Sequence, residues 1–79
     1  MATNAQQPSI PMQPMNSTNI LEAGYDPAAA ILAVAFVGGG TYYHYRVPQE
    51  IWVGLRTAAS PGRFYAMAIK GRFNYERVD

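Results

Sequence analysis

Hydrophobic positions in this chain change their period twice, and each change marks an element. From Thr18 onward, Ile20 to Tyr25 has the length and composition of a short strand. Asp26-Pro27 then opens a turn, because aspartate can bond the backbone just ahead of it and proline presets the following dihedral. Ile31 to Val37 reads as a second strand, with Leu32, Val34 and Phe36 on one face and Ile31, Ala33, Ala35 and Val37 on the other. A helix over 27–37 is the rival reading, since its alanines favour one. The β-branched residues and the terminating Gly38-Gly39-Gly40 favour the strand. Those glycines suit a tight hairpin. Thr41 to Arg46 returns as a third strand, and alternation sets Thr41, Tyr43 and Tyr45 against Tyr42, His44 and Arg46. Tyr43 and Tyr45 are expected to face the core.

The period then lengthens. Val47-Pro48-Gln49-Glu50 starts a helix, with proline at the first helical position and an acid in the first turn to complement the dipole. Ile51, Trp52, Leu55, Ala58 and Ala59 follow at helical spacing, so one face packs on the sheet with Trp52 as the expected anchor. Ser60 and Pro61 give an N-cap and first position for a second helix whose apolar stripe is either Phe64, Met67 and Ala68 or Tyr65, Ala68 and Ile69. Gly71 stops it, and Phe73, Tyr75 and Arg77 alternate with Arg72, Asn74 and Glu76 in a short extended tail. Residues 1–17 have neither period. They mix Gln, Asn, Ser and Thr with Pro8, Pro11 and Pro14, and read as a disordered leader ahead of a domain over residues 18–79. A segment that folds onto a partner through Ile10, Met12 and Met15 is the other reading of the leader. The predicted fold is α+β: a small antiparallel sheet of about three strands covered by two α-helices.

Composition narrows the chemistry. The chain has 79 residues, no cysteine and one histidine, so neither disulfides nor a cysteine/histidine zinc cluster is available. A folded part of this size has a marginal core, and oligomerisation is the remaining support. The dry Ala/Val/Ile face of the second strand is a candidate subunit interface. The apolar run from Ala28 to Val37 falls well short of the roughly twenty residues that span a bilayer, and no charged segment precedes a hydrophobic run at the N-terminus. The expectation is a soluble, cytoplasmic protein without a membrane partner. Net charge is only +1, yet residues 40–79 hold all six basic residues.

Taken together, Gly24-Tyr25-Asp26, Leu32-Ala33-Val34-Ala35-Phe36, Tyr43-His44-Tyr45, Val47-Pro48, Trp52, Leu55, Ala59-Ser60-Pro61-Gly62, Phe64-Tyr65 and Ile69-Lys70-Gly71-Arg72-Phe73 resemble the KTSC domain. That family is named for a segment at the C-terminus of some lysyl-tRNA synthetases and also occurs as short stand-alone proteins. The resemblance runs from about Ser17 to Phe73, and Tyr-x-Tyr followed by Val-Pro is its most specific part. It implies a non-catalytic module, with RNA binding suggested by the synthetase context. The leader, the glycine-rich hairpin and the alanine-rich second strand depart from the family pattern.

Catalysis lacks an inventory: the acids are scattered singly, and His44 has no partner in sequence for a nucleophile-base set. Used alone as a general base, His44 is the one enzymatic possibility. Binding fares better, because arginines and lysine are interleaved with aromatic residues, giving cations for phosphate and rings for stacking. Arg63 in a helical first turn opposes the dipole unless it pairs with an acid or helps to hold an anion. The expected contacts are Arg63, Lys70 and Arg72 with Tyr65, joined by Tyr42, His44 and Arg46. Six basic residues against five acids suit one or two phosphates better than a long polymer. The function expected is therefore non-catalytic binding of a phosphate-bearing nucleotide-type ligand, either a free nucleotide-derived signal sequestered between subunits of a homo-oligomer or RNA, with no cofactor and no metal. The alternative is a protein-interaction or inhibitory module acting through the apolar sheet face.

Overall fold

The computed structural model describes residues 10–79. Five antiparallel strands lie in the order β1-β2-β3-β4-β5: β1 (Gln13–Pro14), β2 (Ile20–Asp26), β3 (Ile31–Phe36), β4 (Thr41–His44) and β5 (Tyr75–Arg77). Between β4 and β5 the chain crosses one face of the sheet as α1 (Gln49–Thr57) and α2 (Pro61–Phe64), and α2 runs on into a π-helical turn over Tyr65–Ile69. The class is α+β with two helices on a sheet, as the sequence suggests. The sheet, however, has five strands rather than about three. The additions are both short edge strands, β1 from the predicted leader and β5 from the predicted extended tail.

Local chemistry sets the boundaries. Asp26 Oδ1 accepts from the backbone N–H of Ala28 and Ala29 at 3.0 and 3.3 Å, which folds the turn between β2 and β3. Gly38 takes the left-handed conformation, φ 72°, in the β3–β4 hairpin. Pro48 is the N-cap of α1, with ψ 151°, one position earlier than expected. Ala58 is already extended, so α1 ends short of Ala59. Ser60 caps α2 as anticipated, its Oγ accepting from Arg63 N–H at 3.4 Å.

The core lies between sheet and helices and comprises Ile20, Ala23, Leu32, Val34, Val47, Leu55 and Ile69, all fully buried. Trp52 is half-buried at its margin, stacked on Tyr25 with ring centroids 6.3 Å apart and covered by the Arg56 guanidinium at 5.9 Å. Leu55, rather than Trp52, is the fully enclosed residue of α1.

Register corrects the phase of β4. Leu32 pairs with His44 and Val34 with Tyr42, and cross-strand partners share a face. Since Leu32 and Val34 enter the core, Tyr42 and His44 turn toward the helices, and Tyr43, paired with Ala33, turns away. The expected inward placement is thus reversed for Tyr43, and Tyr45 falls outside the ladder. β4 also ends at His44, before Tyr45 and Arg46; Arg46 sits at φ 58° in an exposed corner.

The opposite face of the sheet is covered by the chain itself. Ile10 is 7% exposed, and a Cβ on Gly24 would collide with the Pro11 carbonyl and approach Ile10 Cγ2. Ala33, the strand partner of Gly24, is fully buried, and Ala35 nearly so. Residues 10–17, placed by sequence in the leader, therefore belong to the fold: Ile10–Pro11 straps the outer face and Met15 packs on the core. At Gly24 that dry face meets Ile10 and Pro11 of the same chain. The remainder of the predicted leader, residues 1–9, lies outside the described residues.

This strap is testable by a double-mutant cycle. Gly24→Ala should destabilise the full chain by about 1–3 kcal/mol through overpacking against a backbone carbonyl. In a chain beginning at Ser17 the same substitution should cost close to nothing, because the colliding atoms are gone. Urea denaturation of the four proteins measures both numbers.

Candidate ligand-binding cleft

Between the β3–β4 hairpin, β5 and the helical segment from Gly62 to Gly71 lies a cleft of about 740 Å³, within the roughly 300–1,000 Å³ usual for small-molecule sites. Its floor follows from the register just described. Tyr42 and His44 project from β4, Phe36 from the end of β3, Tyr65 from the π-helical turn and Tyr75 from β5. The rings meet mostly edge to face: Phe36 with Tyr65 at 5.1 Å, Phe36 with Tyr42 at 5.9 Å, Tyr42 with Tyr75 at 5.8 Å and His44 with Tyr65 at 5.5 Å. Such pairs hold one another in place. Lys70 and Arg77 border the same space as its cations.

His44 is 1% exposed, yet both its nitrogens are bonded. Leu32 O lies 3.2 Å from Nδ1 and can only accept, so Nδ1 carries the proton and donates. Tyr65 Oη lies 2.9 Å from Nε2 and donates to it. Burial lowers the His44 pKa from its ordinary value of 6.5, outweighing the opposite effect of the Leu32 bond, so the ring is held neutral. Burial, with the neighbouring Tyr75 and Tyr42 hydroxyls, raises the pKa of Tyr65 and keeps it a phenol. Arg77 Nε donates to Asp79 Oδ1 at 3.1 Å, an exposed pair that orients the guanidinium at the end of β5.

The structure brings Tyr42, His44, Tyr65 and Lys70 together and leaves out the other three residues singled out from sequence. Arg63 borders a separate, smaller groove beside Asn16, Ser17 and Ser60. Arg72 turns back on the helix, its Nε donating to Met67 O at 3.0 Å, and Arg46 stands in the exposed corner after β4. Tyr75 and Arg77 were missed as site residues. Their alternation in the tail was a strand signal, and pairing that tail with β4 sets Tyr75 opposite His44 and Arg77 opposite Tyr42. Thr18 and Asn19, which complete the wall, carry no sequence signal. Among the described residues no three histidine, aspartate or glutamate side chains converge as a metal site, and no helix is long and apolar enough to cross a membrane.

Comparison with known proteins identifies the fold. The sequence pattern of the KTSC domain matches residues 16–73, and the chain belongs to that family. A protein of Tsukamurella paurometabola is 52% identical over 62 residues, which cover 78% of this chain and 92% of that protein. The lysine–tRNA ligase of a Nostoc species is 33% identical over 54 residues, covering 68% of this chain but 10% of the ligase. The crystal structure of a KTSC domain protein from Yersinia pestis superposes with a TM-score of 0.87 at 35% identity, covering 90% of this chain and all of that one.

The state of His44 gives the site a pH signature. A histidine whose pKa is lower folded than unfolded binds fewer protons in the native state, so stability falls as pH drops below 6.5 and levels off beneath the depressed value. The groups around it are the Tyr42, Tyr65 and Tyr75 phenols with Lys70 and Arg77 along the cleft, and no carboxylate belongs to the described lining. The urea midpoint should decline from about pH 7.5 to about pH 5. His44→Gln, which keeps a donor and an acceptor, should flatten much of that slope.

Proposed function

We propose that this protein is a non-catalytic binding module for a phosphate-bearing nucleotide-type ligand, free or at an unpaired position in RNA, held in the cleft between the sheet and α2. One observation carries the reading: Tyr42, Tyr65 and Tyr75 share a single concave space with Lys70 and Arg77. Rings supply stacking worth about 1–3 kcal/mol per base, and two cations suit one or two phosphates. A long polymer would need a broader basic face than a net charge of +1 provides. The buried, doubly bonded state of His44 also supports binding over turnover, since its two nitrogens are engaged within the fold.

The similarity of one segment of lysine–tRNA ligases is in keeping with a module that meets nucleotides or RNA, although it concerns only a tenth of the ligase. The other reading, a protein-interaction or inhibitory module on the apolar sheet face, is less favoured because Ala33 and Ala35 are already covered within one chain. A partner there would first have to lift Ile10 and Pro11 away from Gly24.

The test is calorimetric titration with nucleoside monophosphates, diphosphates and short single-stranded RNA. Lys70→Ala combined with Arg77→Ala should weaken binding at least about tenfold and lower its salt dependence. Arg63→Ala, outside the cleft, should leave affinity within about twofold. An unchanged affinity in the double variant, or a loss on Arg63→Ala alone, would move the site away from this cleft.

A further inference from the structure

We infer that Tyr65 meets the ligand as an acceptor only, and that the cleft therefore selects a base bearing an amino N–H, of the aminopurine or aminopyrimidine kind. The inference rests on the nucleotide reading and specifies which base that site takes. Its ground is the direction of a short hydrogen-bond chain. Leu32 O has no proton to give, so His44 Nδ1–H donates to it at 3.2 Å. The neutral ring then has a bare Nε2, and the one proton of the Tyr65 hydroxyl fills it at 2.9 Å.

A phenol has one proton and two acceptor positions. With the proton committed inward, what Tyr65 Oη offers to the cleft is a lone pair. Tyr65 lines the cleft with its ring partners Phe36 and His44. A base edge stacked among these rings and presenting an amino group completes the chain as Leu32 O, His44, Tyr65 and ligand N–H, every bond running in the same direction. A base edge presenting only acceptors sets two lone pairs against each other and forfeits that bond. Lys70 and Arg77 border the same space and offer donors alone, Arg77 through the guanidinium N–H groups other than the Nε–H given to Asp79, which suits an acceptor such as phosphate.

Adenosine monophosphate and purine riboside monophosphate decide the matter, because they share sugar, phosphate and ring system and differ in the amino group. The natural protein should bind adenosine monophosphate about tenfold more tightly. Tyr65→Phe should bring the two affinities within about twofold of each other by weakening adenosine monophosphate, with purine riboside monophosphate little changed. Two weak but equal affinities for the natural protein would overturn this inference and leave the nucleotide reading standing. Binding of neither compound, nor of any nucleotide in the wider titration, would overturn the nucleotide reading and this inference with it. The natural protein's own ratio requires no substitution, so a Tyr65→Phe chain that failed to fold would leave the proposal fully testable.

Discussion

Burial of Leu32 and Val34 against the helices is the constraint from which the rest of this structure follows. β3 is the central strand, and its two core residues fix which face of every neighbour turns inward. Across one ladder they draw in Ala23 and Tyr25; across the other, Tyr42 and His44. The cleft is a consequence of this phase. A slip of one residue in β4 would send Tyr43 and Tyr45 inward and expose His44, removing the acceptor that orients the Tyr65 hydroxyl. Leu32 acts twice, since its side chain sets the phase and its carbonyl sets the His44 tautomer.

The π-helical turn makes the second contribution. Lys70 N–H bonds Tyr65 O at 2.8 Å, a closure five residues apart. In an α-helix the fifth residue onward is rotated by roughly 140°, nearly to the far side. The wider turn brings the start of Lys70 back above Tyr65, so a cation and a ring that sequence spacing would separate border one space. Ile69 remains in the core throughout, which anchors the turn while its neighbours face the cleft.

Much of this was legible in the sequence, and the omissions share a cause. The strands β2 to β4, the turn made by Asp26 and the cap made by Ser60 are local chemistry, visible within a few residues. The family pattern was legible too, because its motifs fall on those same elements. Alternation in β4 was visible, but alternation carries no phase, and two tyrosines at Tyr43 and Tyr45 looked as suitable for a core as Tyr42 and His44. β1 and β5 are two and three residues long; β5 pairs with β4 across more than thirty residues, which no local pattern records, and β1 comes from a proline-containing segment without a period. Arg63 drew attention as a cation in a helical first turn, whereas Arg77 looked ordinary until β5 set it opposite Tyr42. Site residues on consecutive elements were therefore easier to find than those supplied by the edge strand.

The strap over the outer face follows from the size of the domain. A small α+β layer buries one side of its sheet under helices and leaves the other side dry when that side is Gly24, Ala33 and Ala35. Side chains this small lie nearly flush with the backbone, so a passing segment can approach until its own carbonyl lies where a Cβ would stand. Ile10 then lies buried beside Gly24, so that part of the outer face is covered within one chain. The alanine-rich face thus has at least one neighbour in its own chain, a proline-flanked segment with no regular period of its own. Because the strap lies on the face opposite the cleft, it packs on the sheet without obstructing Tyr42, Tyr65 and Tyr75.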